Sequence, residues 1–263
     1  MDSFYFADKR HPQLQQEIEK GSVVLLPIGT VEEHGLHLPV DTDAVIATEA
    51  AARVAERVNP DIPVLVMPTI WTGYSAKEMT RWPGTIRVRT RVMIDLIHDV
   101  CSSLIEMGFE RIVIMNSHGH HPGLINTALR ETADEHGVYV VHTEIAALGK
   151  EAMQKYRKSE PGGAIHGGEF ETALMLHFGK DVDMTCATDQ DVMRYHSDFI
   201  AGDNFTTGSK VFWSTWGLQQ SNTGIYGDPT TASAETGKKI MDEIVENYAA
   251  FLAEYWRETN REA

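Results

Sequence analysis

The chain has 263 residues, with 38 acidic against 23 basic side chains and a formal net charge of −15. Such an excess argues against nucleic acid as the main partner, because phosphate binding needs a basic face. Apolar residues make up 42% and no run of eighteen of them occurs, which fits a globular chain with a real core and gives no membrane-spanning helix.

Two widely separated cysteines, Cys101 and Cys186, are weak evidence for a disulfide and suggest a reducing compartment. The N-terminal stretch lacks the basic start and apolar centre of a secretory signal. The expectation is a cytoplasmic protein.

In chain order, residues 11–20 read as a short polar helix. The apolar run Val23 to Ile28 reads as a buried strand ending at Gly29. Glu32, Glu33, His34, His37, Asp41 and Asp43 follow at once, then a helix from about Ala44 to Val58 with Val45, Ile46, Ala50, Val54 and Val58 at helical spacing. Val64 to Met67 is a second short strand. The connection from Pro68 to Arg89 is long, which in a compact domain marks function or disorder, and its two tryptophans and tyrosine argue against disorder. It reads either as a pocket wall or as a loop packed over the core.

Arg91 to Met107 is an amphipathic helix closed by Gly108. Arg111 to Met115 is another buried strand, and it too ends in a polar cluster, Asn116-Ser117-His118-Gly119-His120-His121. A helix from Pro122 to about Glu135 and a strand from Val138 to Val141 come next. A glycine-rich loop from Ser159 to Gly168 opens a helix carrying Leu174, Met175 and Leu176. Residues 180–222 show no clear pattern. The last helix, Ser233 to about Trp256, buries Ile240, Ile244, Tyr248 and Phe251 or Leu252. Strands alternating with helices at this spacing imply parallel pairing through right-handed crossovers. No repeat or linker divides the chain, so one domain over 1–263 is expected.

In open α/β sheets ligands bind beyond the carboxyl ends of the strands, and two strands here end in acidic, histidine-rich loops. Glu32 and His34, two residues apart, point the same way in extended chain. Carboxylate and imidazole together suit a divalent transition metal. Asp43 could be a helix N-cap or a carboxylate shared between two metals. Glu32, His34, Asp43 and His118, with Glu171 or His120 as a fifth group, would suffice for a two-metal centre. The plainer alternative is a polar loop with a capped helix.

Val31-Glu32-Glu33-His34-Gly35-Leu36-His37-Leu38-Pro39 with Asp41-Thr42-Asp43 resembles a signature of the creatininase family of amidohydrolases. Arg81-Trp82-Pro83-Gly84-Thr85-Ile86, Asn116 to His121, His166-Gly167-Gly168-Glu169-Phe170-Glu171-Thr172, and Gly227-Asp228-Pro229 followed by Ala232 to Glu235 are similar to four further motifs, in the family's order. The resemblance implies a three-layer α/β/α sandwich around a mainly parallel sheet, and a dinuclear site of zinc, manganese or iron. It implies that Glu32 and His118 hold one metal, that His34 holds the other and that Asp43 bridges them. It also implies that His166 contacts substrate and moves a proton, and that the protein is a homo-oligomer, commonly a hexamer.

The chain departs from the family pattern in two places. Creatininase has a glutamate where His120 stands, so either His120 or Glu171 completes the second metal site. It has Trp-Asp where Gly162 and Gly163 stand, so the groups that hold creatinine are missing. The resemblance therefore implies a metal-dependent hydrolase of a C–N bond in a small polar molecule other than creatinine. Tyr74, Glu78, Arg81, Trp82, His120 and His166 are the candidate substrate contacts. The alternatives are a ring-opening hydrolase of a cyclic polyol ketone such as 3-dehydro-scyllo-inosose, and a ligand-binding member without turnover.

Overall fold

The computed structural model describes residues 3–260 apart from 196, 207 and 214–218. After a first helix, α1 (His11–Glu19), the strand β1 (Val23–Ile28) runs through the centre of the molecule, and all six of its residues are buried. Alternate side chains face opposite ways. Val23 and Leu25 join one apolar cluster, while Val24, Leu26 and Ile28 face the other side. A strand apolar on both faces needs a helical layer on each.

Those layers are present. Helix α2 (Thr42–Val58) follows β1, and β2 (Val64–Val66), α3 (Thr90–Met107), β3 (Ile112–Asn116), α4 (Pro122–His136) and β4 (Val141–Glu144) continue the alternation. The four strands pair in parallel in the order β2-β1-β3-β4. α3 and α4 pack against Leu26, Ile28 and Ile114 on one face. The other face is covered by α2 and, later in the chain, by α7 (Glu169–His177) and α8 (Ala234–Thr259). Between them come α5 (Ile145–Leu148), α6 (Lys150–Tyr156) and β5 (Ala164–His166), which pairs antiparallel with β6 (Tyr226–Gly227). This is the α/β/α arrangement expected.

Several boundaries differ from the sequence reading. The fourth strand begins at Val141 rather than Val138, and it carries His142 and Glu144. It is the sheet edge and only half buried, so it tolerates polar residues that hid it from a search for apolar runs. Asp43 is not the N-cap of α2. Asp41 holds that position without a side-chain bond, and Asp43 lies in the first turn with its carboxylate turned inward. In α8 the buried residue is Leu252, and Phe251 is half buried.

β1 and β3 are neighbours with Ile28 opposite Asn116. Their following loops therefore emerge side by side at one edge of the sheet, and β4 ends there too, with Glu144 opposite Asn116.

Candidate active site

Three loops meet at that edge: the one after β1, the one after β3, and the turn between β5 and α7. Glu32, His34, Asp43, His118, His166 and the carboxylate of Glu171 come together there. All but Glu171 are nearly inaccessible. Glu32, His118 and His120 can each present a ligand atom within 4.8 Å of one another, and so can His34, His166 and Glu171. Asp43 lies between the two groups. Its Oδ2 is 2.7 Å from His118 Nδ1 and its Oδ1 is 3.4 Å from His34 Nε2.

Hydrogen bonds fix the rings. His34 Nδ1 lies 2.9 Å from the carbonyl oxygen of Glu32. A carbonyl only accepts, so Nδ1 carries the proton and Nε2 faces the carboxylates of Asp43 and Glu171. His166 is held in the same way: Nε2 donates to the Glu33 carbonyl at 2.8 Å, and Nδ1 faces Glu32 Oε1 at 3.4 Å. Two acceptor atoms at that spacing repel unless a positive charge lies between them.

The donor set meets the test for a cation. Both oxygens of Glu32, His34 Nε2, Asp43 Oδ2 and His118 Nε2 are buried without an aligned hydrogen bond. Asp43 Oδ2 remains so despite its 2.7 Å approach to His118. Buried polar atoms normally find partners, and so many orphans in one place call for an explanation. The charge balance points the same way. Burial opposes a charged His34, but Asp43, Glu171 and Glu32 outweigh it and lift its pKa to about 10. His118 is lifted to about 9 against the same burial, chiefly by Glu32 and Asp43. Burial raises Glu32, and it raises Glu171 to about 7. Burial also holds His166 neutral, reinforced by His34, so its pKa is far below the ordinary value. The histidines and carboxylates therefore hold one another's charges, an arrangement a cation can replace by displacing the histidine protons.

Four other predicted site residues are not among those lining the cavity over this cluster. Tyr74 stands edge-on to His120, with ring centres 6.1 Å apart. Glu78 is exposed, and Arg81 stacks on Trp82 and donates to the Ser221 carbonyl. The short 3-10 helix Lys77–Arg81 buries Met79 against Met193 and Tyr226, and this leaves its polar residues on the far side. The long connection is therefore a packed loop that touches the site near its middle, where Ala76 N meets His120 Nδ1 at 3.4 Å.

The cavity over the cluster has a volume of about 530 Å³. Glu144, Lys150, Asn204, Phe212 and Trp213 also line it, and sequence reasoning missed all five. Glu144 was within reach of the strand-end rule, but the strand was placed three residues too early. Gly162 has φ +96°, and a Cβ there would strike the Met193 carbonyl oxygen. At Gly163 a Cβ would meet the Ser159 side chain, so neither position has room for a larger residue without rearrangement.

A family model described as creatinine amidohydrolase matches residues 7–252. The chain belongs to the creatininase family. A mycofactocin precursor peptide peptidase of Mycobacterium tuberculosis is 29% identical over 238 residues, which is 88% of this chain and 85% of that protein. A creatinine amidohydrolase of Pseudomonas putida is 28% identical over 248 residues, covering 88% and 89%. A solved creatininase superposes with TM-score 0.82 at 23% identity over 97% and 98% of the two chains, which establishes the fold. A solved creatininase variant described as Zn-Zn type superposes with TM-score 0.80 at 25% identity over 97% and 99%. Creatininase-family members are amidohydrolases, and this chain is a hydrolase of that family. Among the described residues no helix is long and apolar enough to cross a membrane.

Proposed function

We propose that this protein is a metal-dependent hydrolase that cleaves a C–N bond in a small polar amide. The observation that carries the reading is the set of buried ligand atoms on Glu32, His34, Asp43 and His118 that face one another without an aligned hydrogen bond. Glu32 and His118 would hold one divalent cation, with His120 near enough to join them. His34 and Glu171 would hold the second, and Asp43 would be shared. The grouping favours Glu171 over His120 for the second site, because His120 sits with Glu32 and His118. The Zn-Zn relative supports two ions of this type. Imidazole and carboxylate also accept manganese or iron.

When bound, such a pair of cations lowers the pKa of water and polarises a carbonyl. The protein's own groups do the rest. His166 is neutral, and its tautomer is fixed by the Glu33 carbonyl, so Nδ1 can take a proton from attacking water. As the water oxygen bonds to the carbonyl carbon and the C–N bond breaks, that proton passes to the departing nitrogen. Glu171 is anchored by the Gly167 amide, which leaves its carboxylate 3.8 Å from His34 Nε2. Asn116 donates to the His118 carbonyl at 2.8 Å and accepts from His121, which holds the turn that presents His118.

The test is elemental analysis of purified protein, followed by incubation with creatinine, a formamide, short peptides and an inosose. Products to follow are creatine, formate, free amine and ring-opened acid. About two equivalents of transition metal and amide cleavage that stops with a chelator are expected. Ring opening of the inosose with inert amides would overturn the C–N assignment. Metal-free protein with full activity would overturn the whole reading.

A further inference from the structure

The metal-centred floor of the cavity uses residues from three loops, but its walls come from elsewhere. One wall is the segment 198–213, without residue 207. It is a built structure: Lys210 N donates to the Phe199 carbonyl at 2.8 Å, and Ala201 N donates to Ser209 Oγ at 2.9 Å. Asp203 anchors its base. That carboxylate is fully buried, accepts from Arg157 Nη2 at 2.7 Å and from Gly162 N at 2.9 Å, and so ties the segment to the loop leading to His166. From this fixed base Phe212 and Trp213 reach the cavity rim. Phe212 is fully exposed and Trp213 is half exposed, with the Tyr195 ring against it at 6.4 Å. Large aromatic groups left in water at a pocket mouth mark a binding surface.

Beside this wall stands Lys150, the first residue of α6. It is the only lysine or arginine among the described residues lining the cavity. Its ammonium has three donors, and one goes to the Thr206 carbonyl at 3.2 Å. Among the described residues it makes no ion pair within 4.0 Å. A cation at the positive end of a helix does not serve helix stability. It is placed where an anionic ligand group would meet it.

We propose that the substrate is a carboxylate-bearing amide with an apolar or aromatic group, the carboxylate bonded by Lys150 and the apolar group lying on Phe212 and Trp213. This rests on the hydrolase reading for the position of the amide, in the same cavity beside His166. The cavity is far larger than a single small heterocycle needs and is in the range that encloses a ligand of this size.

The test uses three probes on the full-length protein as purified, by calorimetry: N-benzoylglycine, N-acetylglycine and N-benzoylglycinamide. The first should bind most tightly. Lys150→Met and Lys150→Gln should weaken N-benzoylglycine roughly tenfold, as loss of one charge-assisted bond implies, and leave N-benzoylglycinamide unchanged. Lys150→Arg should restore most of the loss. Phe212→Ala with Trp213→Ala should erase the preference for benzoyl over acetyl. Equal binding of the acid and the amide, or a Lys150→Met protein that binds all three as before, overturns the proposal. Metal content measured on the same samples separates the two readings. Bound metal with no effect at Lys150 sinks this inference alone, and a Lys150 effect in protein that holds no metal sinks the hydrolase reading alone.

Discussion

Two regions of this molecule bury carboxylates, and they treat them in opposite ways. Asp203 and Asp191, in the segment after α7, are almost inaccessible, yet they are surrounded by donors. Asp203 takes Arg157 and the amides of Gly162 and Phe205, and Asp191 takes Ser221, Asn222 and Thr223. At the sheet edge, Glu32 and Asp43 are equally buried and have histidines and each other for company. A fold that can satisfy a carboxylate with backbone amides and arginine does so where the role is structural. Where it meets the charge only with histidines, whose protons a metal can displace, the site is built to receive something else.

The sharpest way to break this contrast is to remove one acid from each region. Asp43→Ala should lose stoichiometric metal and lower hydrolysis by roughly a thousandfold, the order seen when a key electrostatic group is removed. Elemental analysis and a rate assay check both. Retained metal in that variant would refute the bridging role. Asp203→Asn should do the reverse. It leaves Arg157 buried without its partner, which costs about 3–5 kcal/mol in urea unfolding, while the metal content holds.

Protons give a finer comparison. His34 and His118 have their pKa values raised to about 10 and about 9, so both carry protons near neutrality. A cation that takes their place must expel those protons. Zinc addition near pH 7 should release about two protons per protein, measurable with an indicator dye, and apparent metal affinity should rise with pH until those values are passed. Asp191 shows the structural counterpart. Burial alone would raise its pKa, but Thr223, Asn222 and Ser221 outweigh burial and lower it. A lowered folded pKa means stability that is present above the unfolded value and lost as pH falls through the folded one. Asp191→Asn should therefore cost about 1–2 kcal/mol at pH 7 and progressively less below pH 4, by urea unfolding at each pH.

The sequence made the catalytic edge legible because its signal is local. Val23 to Ile28 is unmistakably a buried strand, and the acids and histidines follow it within a few residues. The same holds for Ile112 to Asn116 and His118. The motif order then pointed to the α/β/α frame. The second region stayed opaque because its stability comes from contacts distant in sequence. Asp191 meets residues about thirty positions away, and Asp203 meets Arg157 from 46 positions back. No periodicity announces such a segment. Glu144 and Lys150 were missed for a related reason, since they follow an edge strand whose His142 and Glu144 broke the apolar pattern. Glu78, Arg81 and Trp82 misled because polar residues beside aromatics look alike whether they face a cavity or solvent, and only the burial of Met79 decides which way they turn.

Anomalous X-ray diffraction from crystals of the metal-loaded protein tests the central claim most directly. Two peaks are expected, one beside Glu32 and His118 and one beside His34 and Glu171, with the Asp43 carboxylate between them. Active protein whose crystals show no peak at Asp43 would contradict it.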